Sequence, residues 1–431
     1  MIFSIAWKNV WRNRMRSLIV MIAVTIGMIG GIFSSSVFKG MSDQRVKEAI
    51  KYETSHIQVH HPTFMENQEL KYTLENSAEI ADQIEAMPEV QSVSRRMEVP
   101  VMIKSTVTGT GVRLMGIDTK KEKEVTDIYK AVYDSTDLIE QYGFRNPERI
   151  SRFLKDSCGS YFGKKTRARQ IVIGEELAEQ LKADVKSKVV VNLQTSEGNL
   201  TGGVFRVAGI YRITNSAFEN TVAFVKRDAL SDLTGLPGES AHELAIRLRD
   251  DNQLQGLMNK LEIQYPDLSI MSWKDIQPEL GMITQWLDVM LYFVMIIILL
   301  ALGFGIVNTM LMVVMERVKE LGMLMAIGMN RIRVFTMIML ETIFLSLTGG
   351  VIGMVLAALL INYFGNAGIN LKAFAQGFEA MGYNPMLYPE IGTTFYFSIT
   401  GLIILTAIIA SVYPAVKALK LNPAEALRIE M

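Results

Sequence analysis

Four long apolar runs interrupt an otherwise mixed polar chain, and they set its plan. Residues 18–38, 289–315 and 391–416 carry no charged side chain, and residues 334–364 carry one, Glu341. A helix needs about 20 mostly apolar residues to cross the hydrocarbon of a bilayer, so each run predicts a membrane-spanning helix. The layout is one span, a long polar stretch over 39–288, then three spans close together. A cleaved signal peptide is the rival reading of the first run. That run exceeds the usual apolar region of roughly 7–15 residues, and only Ser34, Ser35 and Ser36 offer small residues near its end.

The long polar stretch alternates two periods. Residues 54–60 and 90–104 read as strands, with residues 77–87 between them as a helix carrying Ile80, Ile84 and Met87 on one face. The order recurs near the far end, with strands at 243–249 and 268–273 around a helix at 252–265 marked by Leu254, Leu257 and Leu261. Two such halves predict one split α+β part over 39–110 and 241–288, near the membrane, with a second part inserted at 111–240. In the insertion, 175–181 reads as a helix and 188–194 and 204–213 as strands, while 118–168 has no assignable period. The fold class expected is an α+β membrane protein with four transmembrane helices (1+3) and a large two-part α+β extracytoplasmic domain.

Charge then fixes the orientation. Residues 1–17 hold Lys8, Arg12, Arg14 and Arg16 with no acid, the 316–333 loop holds Arg317, Lys319, Arg331 and Arg333, and the 417–431 tail holds three more basic residues. The 365–390 loop has Lys372 against Glu379 and Glu390. Basic residues concentrate on the cytoplasmic side, so both termini and the middle loop are expected there and 39–288 outside. Within residues 1–17, Phe3, Trp7, Val10, Trp11 and Met15 share one helical arc and Lys8, Arg12, Arg16, Asn9 and Asn13 the other. That pattern suits either an interfacial helix with Trp rings at headgroup depth or a plain basic flank.

Composition excludes more than it proves. The chain has 44 basic and 44 acidic residues, which argues for no nucleic-acid partner, and its one cysteine, Cys158, allows no intrachain disulfide and no cysteine-rich metal site. Its 27 methionines crowd the apolar runs as adaptable packing. No G-x-x-x-x-G-K-[ST] phosphate loop occurs, so ATP is not hydrolysed here by that route. The pair His242-Glu243 begins like a zinc-protease motif, but the second histidine is missing. His56, His60 and His61 could hold a metal, yet strand alternation turns His61 away from the other two, and a solvated strand face is the commoner outcome. No catalytic residue and no metal site is therefore expected. Glu341, about 12 Å into the third span, is a functional candidate by its position, although no second ionisable group in the spans completes a relay. Gly349 and Gly353 form a GxxxG pair, and Gly27, Gly30 and Gly31 cluster in the first span. These suit close helix packing, including packing between subunits.

The loop after the second span runs Glu316, Arg317, Val318, Lys319, Glu320, Leu321, Gly322, and continues to Ala326, Ile327 and Gly328. This resembles the signature of FtsX-like ABC transporter permeases. The closing residues Tyr413, Pro414, Ala415 and Ala418, then Asn422, Pro423, Ala426, Leu427 and Arg428, resemble that family's tail. The stretch Val172-Ile173-Gly174, then Val189–Val191 and Phe205–Ile210, is similar to the periplasmic core domain of MacB-type members. The resemblance implies a mechanotransmission-type permease of the bacterial inner membrane, closest to the lipoprotein-releasing LolC/LolE branch. It implies a separate ABC ATPase, carrying ATP and Mg, docked on Glu316, Arg317, Lys319, Glu320, Leu321, Gly322, Ala326 and Gly328. A second permease copy or paralogue would complete the complex, and the chain itself would bind no cofactor. The substrate implied is a membrane-anchored lipoprotein. MacB-like efflux of drugs, peptides or toxins from the periplasm and regulation of a cell-wall hydrolase are the alternatives.

Overall fold

The computed structural model describes residues 2–12, 14–132, 159–163 and 169–419. Cys158, much of the unassigned 118–168 stretch and the closing motif from Asn422 lie outside them. The chain divides into two compact units, residues 1–42, 284–371 and 386–431 in the first and residues 43–283 and 372–385 in the second.

The first unit is helical. Among the described residues four helices are long and apolar enough to cross a membrane, and they run over Ser17–Thr54, Pro278–Glu316, Arg331–Ala367 and Thr393–Leu419. The first three, of 37–39 residues, rise about 55 Å at 1.5 Å per residue, well beyond the roughly 30 Å of hydrocarbon. Their shared core is built from Met28, Ile32, Met295, Leu299, Met310, Ile338, Leu345, Ile399 and Ile403, so the methionines do fill the interior.

Close approach between these helices rests on glycine. A Cβ on Gly353 would stand 2.7 Å from Met28 Cβ and 3.0 Å from Thr25 O, and one on Gly349 would stand 2.8 Å from Met21 O. Thr25 Oγ1 donates to Gly349 O at 3.0 Å across the same seam. Gly27 and Gly31 take the side chains of Leu302, Met295 and Ile298 on the second span. The GxxxG surface that the sequence left open to a second subunit is thus used inside the chain, between its first and third spans.

Among its described residues the second unit holds one nine-stranded sheet. Its strands are β1 (Ile57–His60), β2 (Val90–Lys104), β3 (Gly109–Ile117), β4 (Gln170–Gly174), β5 (Lys188–Gln194), β6 (Leu200–Tyr211), β7 (Val222–Lys226), β8 (Glu243–Leu248) and β9 (Ser269–Ser272), in spatial order β3-β7-β4-β6-β5-β2-β8-β1-β9. The stretch β2-β8-β1-β9 is antiparallel throughout, with helices Ser77–Glu85 and Leu254–Gln264 in its two β-α-β halves. That is the split arrangement the sequence halves predicted.

One long strand joins the two parts. The amino-terminal half of β2 pairs with β8, while its far half pairs with β3 and β5. The sequence boundary at 110/111 therefore divides neither the sheet nor its two larger hydrophobic cores, since Met97, Val99 and Ile103 before it pack in the second. One core gathers Ile57, Ile84, Leu244 and Leu261, and the other Ile103, Leu177, Val191 and Phe205. Over the second core, Pro100, Met102, Val112, Leu193 and Leu200 line an open, mainly apolar groove of about 720 Å³.

Two local expectations change. β1 starts at Ile57 because residues Ala49–Thr54 form a π-helix. It also runs between β8 and β9, so it is buried rather than a solvated face. His56 Nε2 meets Asp251 Oδ1 at 2.9 Å, His60 lies 3.0 Å from both Gln58 Oε1 and His242 O, and His61 stacks on Tyr72. Each of the three rings thus has its own partner. Burial lowers the His60 pKa to about 4.

Glu243, flagged beside His242, belongs to a buried cluster. Arg96 donates from Nη1 to Glu243 at 2.7 Å and from Nε and Nη2 to Glu122 at 3.0 and 2.7 Å. Burial raises the Glu243 carboxyl to about 7 against the pull of Arg96. Burial also pushes Glu122 up, but the Arg96 charge, its two hydrogen bonds and the hydroxyls of Ser94 and Thr126 outweigh it and leave that carboxyl below its ordinary value. One guanidinium between two carboxylates cannot neutralise both, and the acid with fewer donors binds its proton more tightly.

Candidate coupling site

The loop that carries the family-like signature is a short helix, Val318–Ala326, set off from the second span by a break at Arg317 (φ −99°, ψ 15°). Val318 and Leu321 are buried and Gly322 packs with them, so this face seats the helix on the bundle. Gly328 ends it with φ +99°, a left-handed conformation that glycine adopts at little cost, and Asn330 caps the third span by accepting from Ile332 N at 3.1 Å.

Beneath the break lies a chain of alternating charges. Arg317 Nη1 reaches both carboxylate oxygens of Glu341 at 3.2 Å, and its Nε donates to Glu320 Oε2 at 3.0 Å. Glu320 in turn accepts from Arg12 Nη2, at the end of the amino-terminal helix Ile2–Arg12. These hydrogen bonds, Arg12 first and Arg317 next, hold the Glu320 carboxyl below its ordinary pKa. A small cavity of about 20 Å³, room for roughly one water, lies beside the pair, lined by Asn9, Arg12, Thr309, Arg317 and Glu341 and by apolar side chains such as Met310 and Leu345.

This geometry sorts the expected site residues. Arg317, assigned to a partner surface, has a side chain only 13% exposed and turned onto Glu341. Glu341 gains the ionisable partner that the spans themselves lacked, because the break lets a loop arginine reach back to it. Leu321 and Gly322 face inward. Glu316, Lys319, Ala326 and Gly328 are exposed, and with them Met323 (50%), Leu324 (37%) and Ile327 (85%). Lys319, Met323 and Ile327 recur every four residues, which puts them on one helical face.

The amino-terminal helix was half legible. Ala6 and Val10 face the core, so Val10 leaves the Trp arc predicted for it, while Phe3, Trp7 and Trp11 stay partly exposed. Trp7 stands edge-on to Phe344 of the third span, 5.6 Å between centroids, and Phe3 meets the same ring at 6.1 Å. Sequence reading did not find Arg12 or Phe344 as partners. Their only local signals were a basic flank and an ordinary apolar position.

Comparison with known proteins places the chain in a family. Residues 17–263 match the family described as MacB-like periplasmic core domain, and residues 292–423 match FtsX-like permease C-terminal. The chain belongs to the MacB/FtsX-type ABC transporter permeases. It is 25% identical over 84% of its length to the macrolide export ATP-binding/permease protein MacB of Bdellovibrio bacteriovorus, and spans half the length of that protein. It is 24% identical to the uncharacterized ABC transporter permease YvrN of Bacillus subtilis, covering 99% of this chain and 98% of that one. The periplasmic region of MacB from Actinobacillus actinomycetemcomitans superposes with a TM-score of 0.33 at 10% identity, covering 55% of this chain and 97% of that one.

Proposed function

We propose that this permease couples an ABC ATPase, with its ATP and Mg, to movement of the inserted domain, which handles substrate outside the cytoplasmic membrane. The observation that carries this reading is the short helix Val318–Ala326. It offers Lys319, Met323, Leu324 and Ile327 outward while Arg317 and Glu341 brace it from behind. An exposed apolar stripe edged by charge suits a protein partner, and a braced helix transmits a push better than a loose loop. The basic residues of the 1–17 and 316–333 segments support cytoplasmic termini and a cytoplasmic docking helix.

For substrate, efflux of amphiphilic compounds takes precedence over lipoprotein release. The MacB names of the relatives and the apolar groove at Met102 and Leu200 both favour it. Lipoprotein release by a pair of permease copies or paralogues is the second reading, carried by the resemblance of the strand Ser55-His56-Ile57-Gln58-Val59-His60 to the LolC/LolE branch.

Met323→Asp and Ile327→Asp place charge on exposed positions that the fold does not need. Each is expected to cut co-purification of the ATPase at least about tenfold and leave the permease monodisperse. Unchanged assembly and ATP turnover would remove the docking role. Mass spectrometry of the purified complex separates the substrates, since co-bound acylated proteins would overturn the efflux reading.

A further inference from the structure

The incoming end of the inserted domain is built around one carboxylate. Past helix Arg14–Glu48 the chain widens into the π-helix Ala49–Thr54, then passes through Ser55 at φ +62° and ψ −167°. Ser55 is fully buried and donates to Ile246 O at 2.7 Å. A π-turn and a non-glycine residue in this region are uncommon, and both persist only where the surroundings enforce them.

What they position is Glu53, whose side chain is 3% exposed. It accepts from Arg45 Nη1 at 2.8 Å and Nη2 at 3.3 Å, from Asn215 Nδ2 at 3.1 Å and from Gln277 Nε2 at 2.7 Å. The donors come from separate stretches of chain. Arg45 lies on the continuation of the first span, Gln277 directly precedes the helix of the second span, and Asn215 caps helix Ser216–Thr221 in the insertion. Asn215 is itself fixed, because its side-chain oxygen accepts from Ala217 N and Phe218 N.

A second layer brings in the loop between the third and fourth spans. Arg212, three residues before Asn215, pairs with Glu379 at 3.2 Å and with Glu175 at 3.5 Å. Asn384 Nδ2 donates to Glu48 at 3.1 Å. Residues 372–385 accordingly belong to the inserted unit rather than forming a separate loop.

We propose that Glu53 is the positioning residue that clamps the incoming and outgoing segments of the inserted domain into one body with its insertion. A carboxylate at this place serves four charge-assisted or amide donors at once, which no neutral side chain of its size can do. Three of these bonds converge on Oε2 and one on Oε1, so the carboxylate ties its donors together as a joint. The clamp stands on geometry alone; its use in transmitting motion rests on the coupling function proposed above.

Hydrogen exchange on the full chain in nanodiscs tests the clamp. Glu53→Gln keeps the volume but removes the charge and turns an amide N–H₂ toward a donor. Exchange is expected to quicken about tenfold or more in residues 45–54, 212–216 and 274–280 together, with β2 and β8 unchanged. Acceleration confined to 45–54 overturns the clamp. Gln277→Ala removes only the outgoing grip and keeps the test open if Glu53→Gln does not fold. It should loosen 49–54 as well as 274–280, and a response limited to 274–280 overturns the proposal equally.

In complex with the ATPase, both variants should hydrolyse ATP with unchanged kcat and KM. They should lose the ATP-dependent change in exchange that the unaltered complex shows in these stretches. No such change in the unaltered complex overturns the transmission role and leaves the clamp itself intact.

Discussion

Removing the Arg317 side chain probes how the short helix is braced. Arg317→Ala deletes the three hydrogen bonds to Glu341 and Glu320 and leaves Glu341, with a side chain 7% exposed, without its cation. Stranding one member of a buried ion pair costs about 3–5 kcal/mol. Glu341→Gln relieves that stranded charge, so the double variant should lose only about 1–2 kcal/mol. Each kcal/mol shifts the melting temperature of a 150–250-residue unit by about 2–4 °C. Melting followed by tryptophan fluorescence in nanodiscs should therefore place Arg317→Ala about 6–12 °C or more below the parent, and the double variant about halfway back. Equal losses in Arg317→Ala and the double variant would refute the pairing, because the cost would then lie in packing and not in an uncompensated carboxylate.

Two further outcomes follow from packing and titration. Gly353→Val forces a Cβ against Met28 and the Thr25 backbone and should cost about 1–3 kcal/mol, whereas Gly30→Val, where nothing among the described residues lies within 4 Å, should be close to neutral in the same melts. For Glu243, the folded pKa of about 7 exceeds the ordinary 4.5. Its contribution is intact below the unfolded value and falls as pH rises toward 7, by up to about 3 kcal/mol. His60, lowered to about 4, has the opposite sign and loses stability as pH falls from 6.5. Glu243→Gln should consequently gain on the parent as pH rises from 5 to 7 in denaturation of the full chain, and parallel curves would rule this out.

The spans, the split α+β order and the signature loop were legible because each rests on local periodicity or a short motif. Residues 334–364 announce a span, and the pairs of strand and helix at 54–104 and 243–273 announce two halves of one motif. The roles of individual charges were not legible. Arg317 and Glu341 lie 24 residues apart and on either side of a helix break, and nothing local tells a loop arginine to fold back. Arg12 and Glu320 are 308 residues apart, and Glu53 meets Gln277 across 224.

The amino-acid sequence alone thus determined four spanning helices, an inserted α+β domain and the family. Hydrophobic period and length depend only on neighbouring residues. Tertiary structure alone decided that Gly349 and Gly353 serve the chain's own seam, that β2 runs through both parts of the domain, and that Glu53 gathers distant donors. Such choices depend on which surfaces meet once the helices and sheet have packed. An unpaired buried charge or a misplaced Cβ is penalised only there.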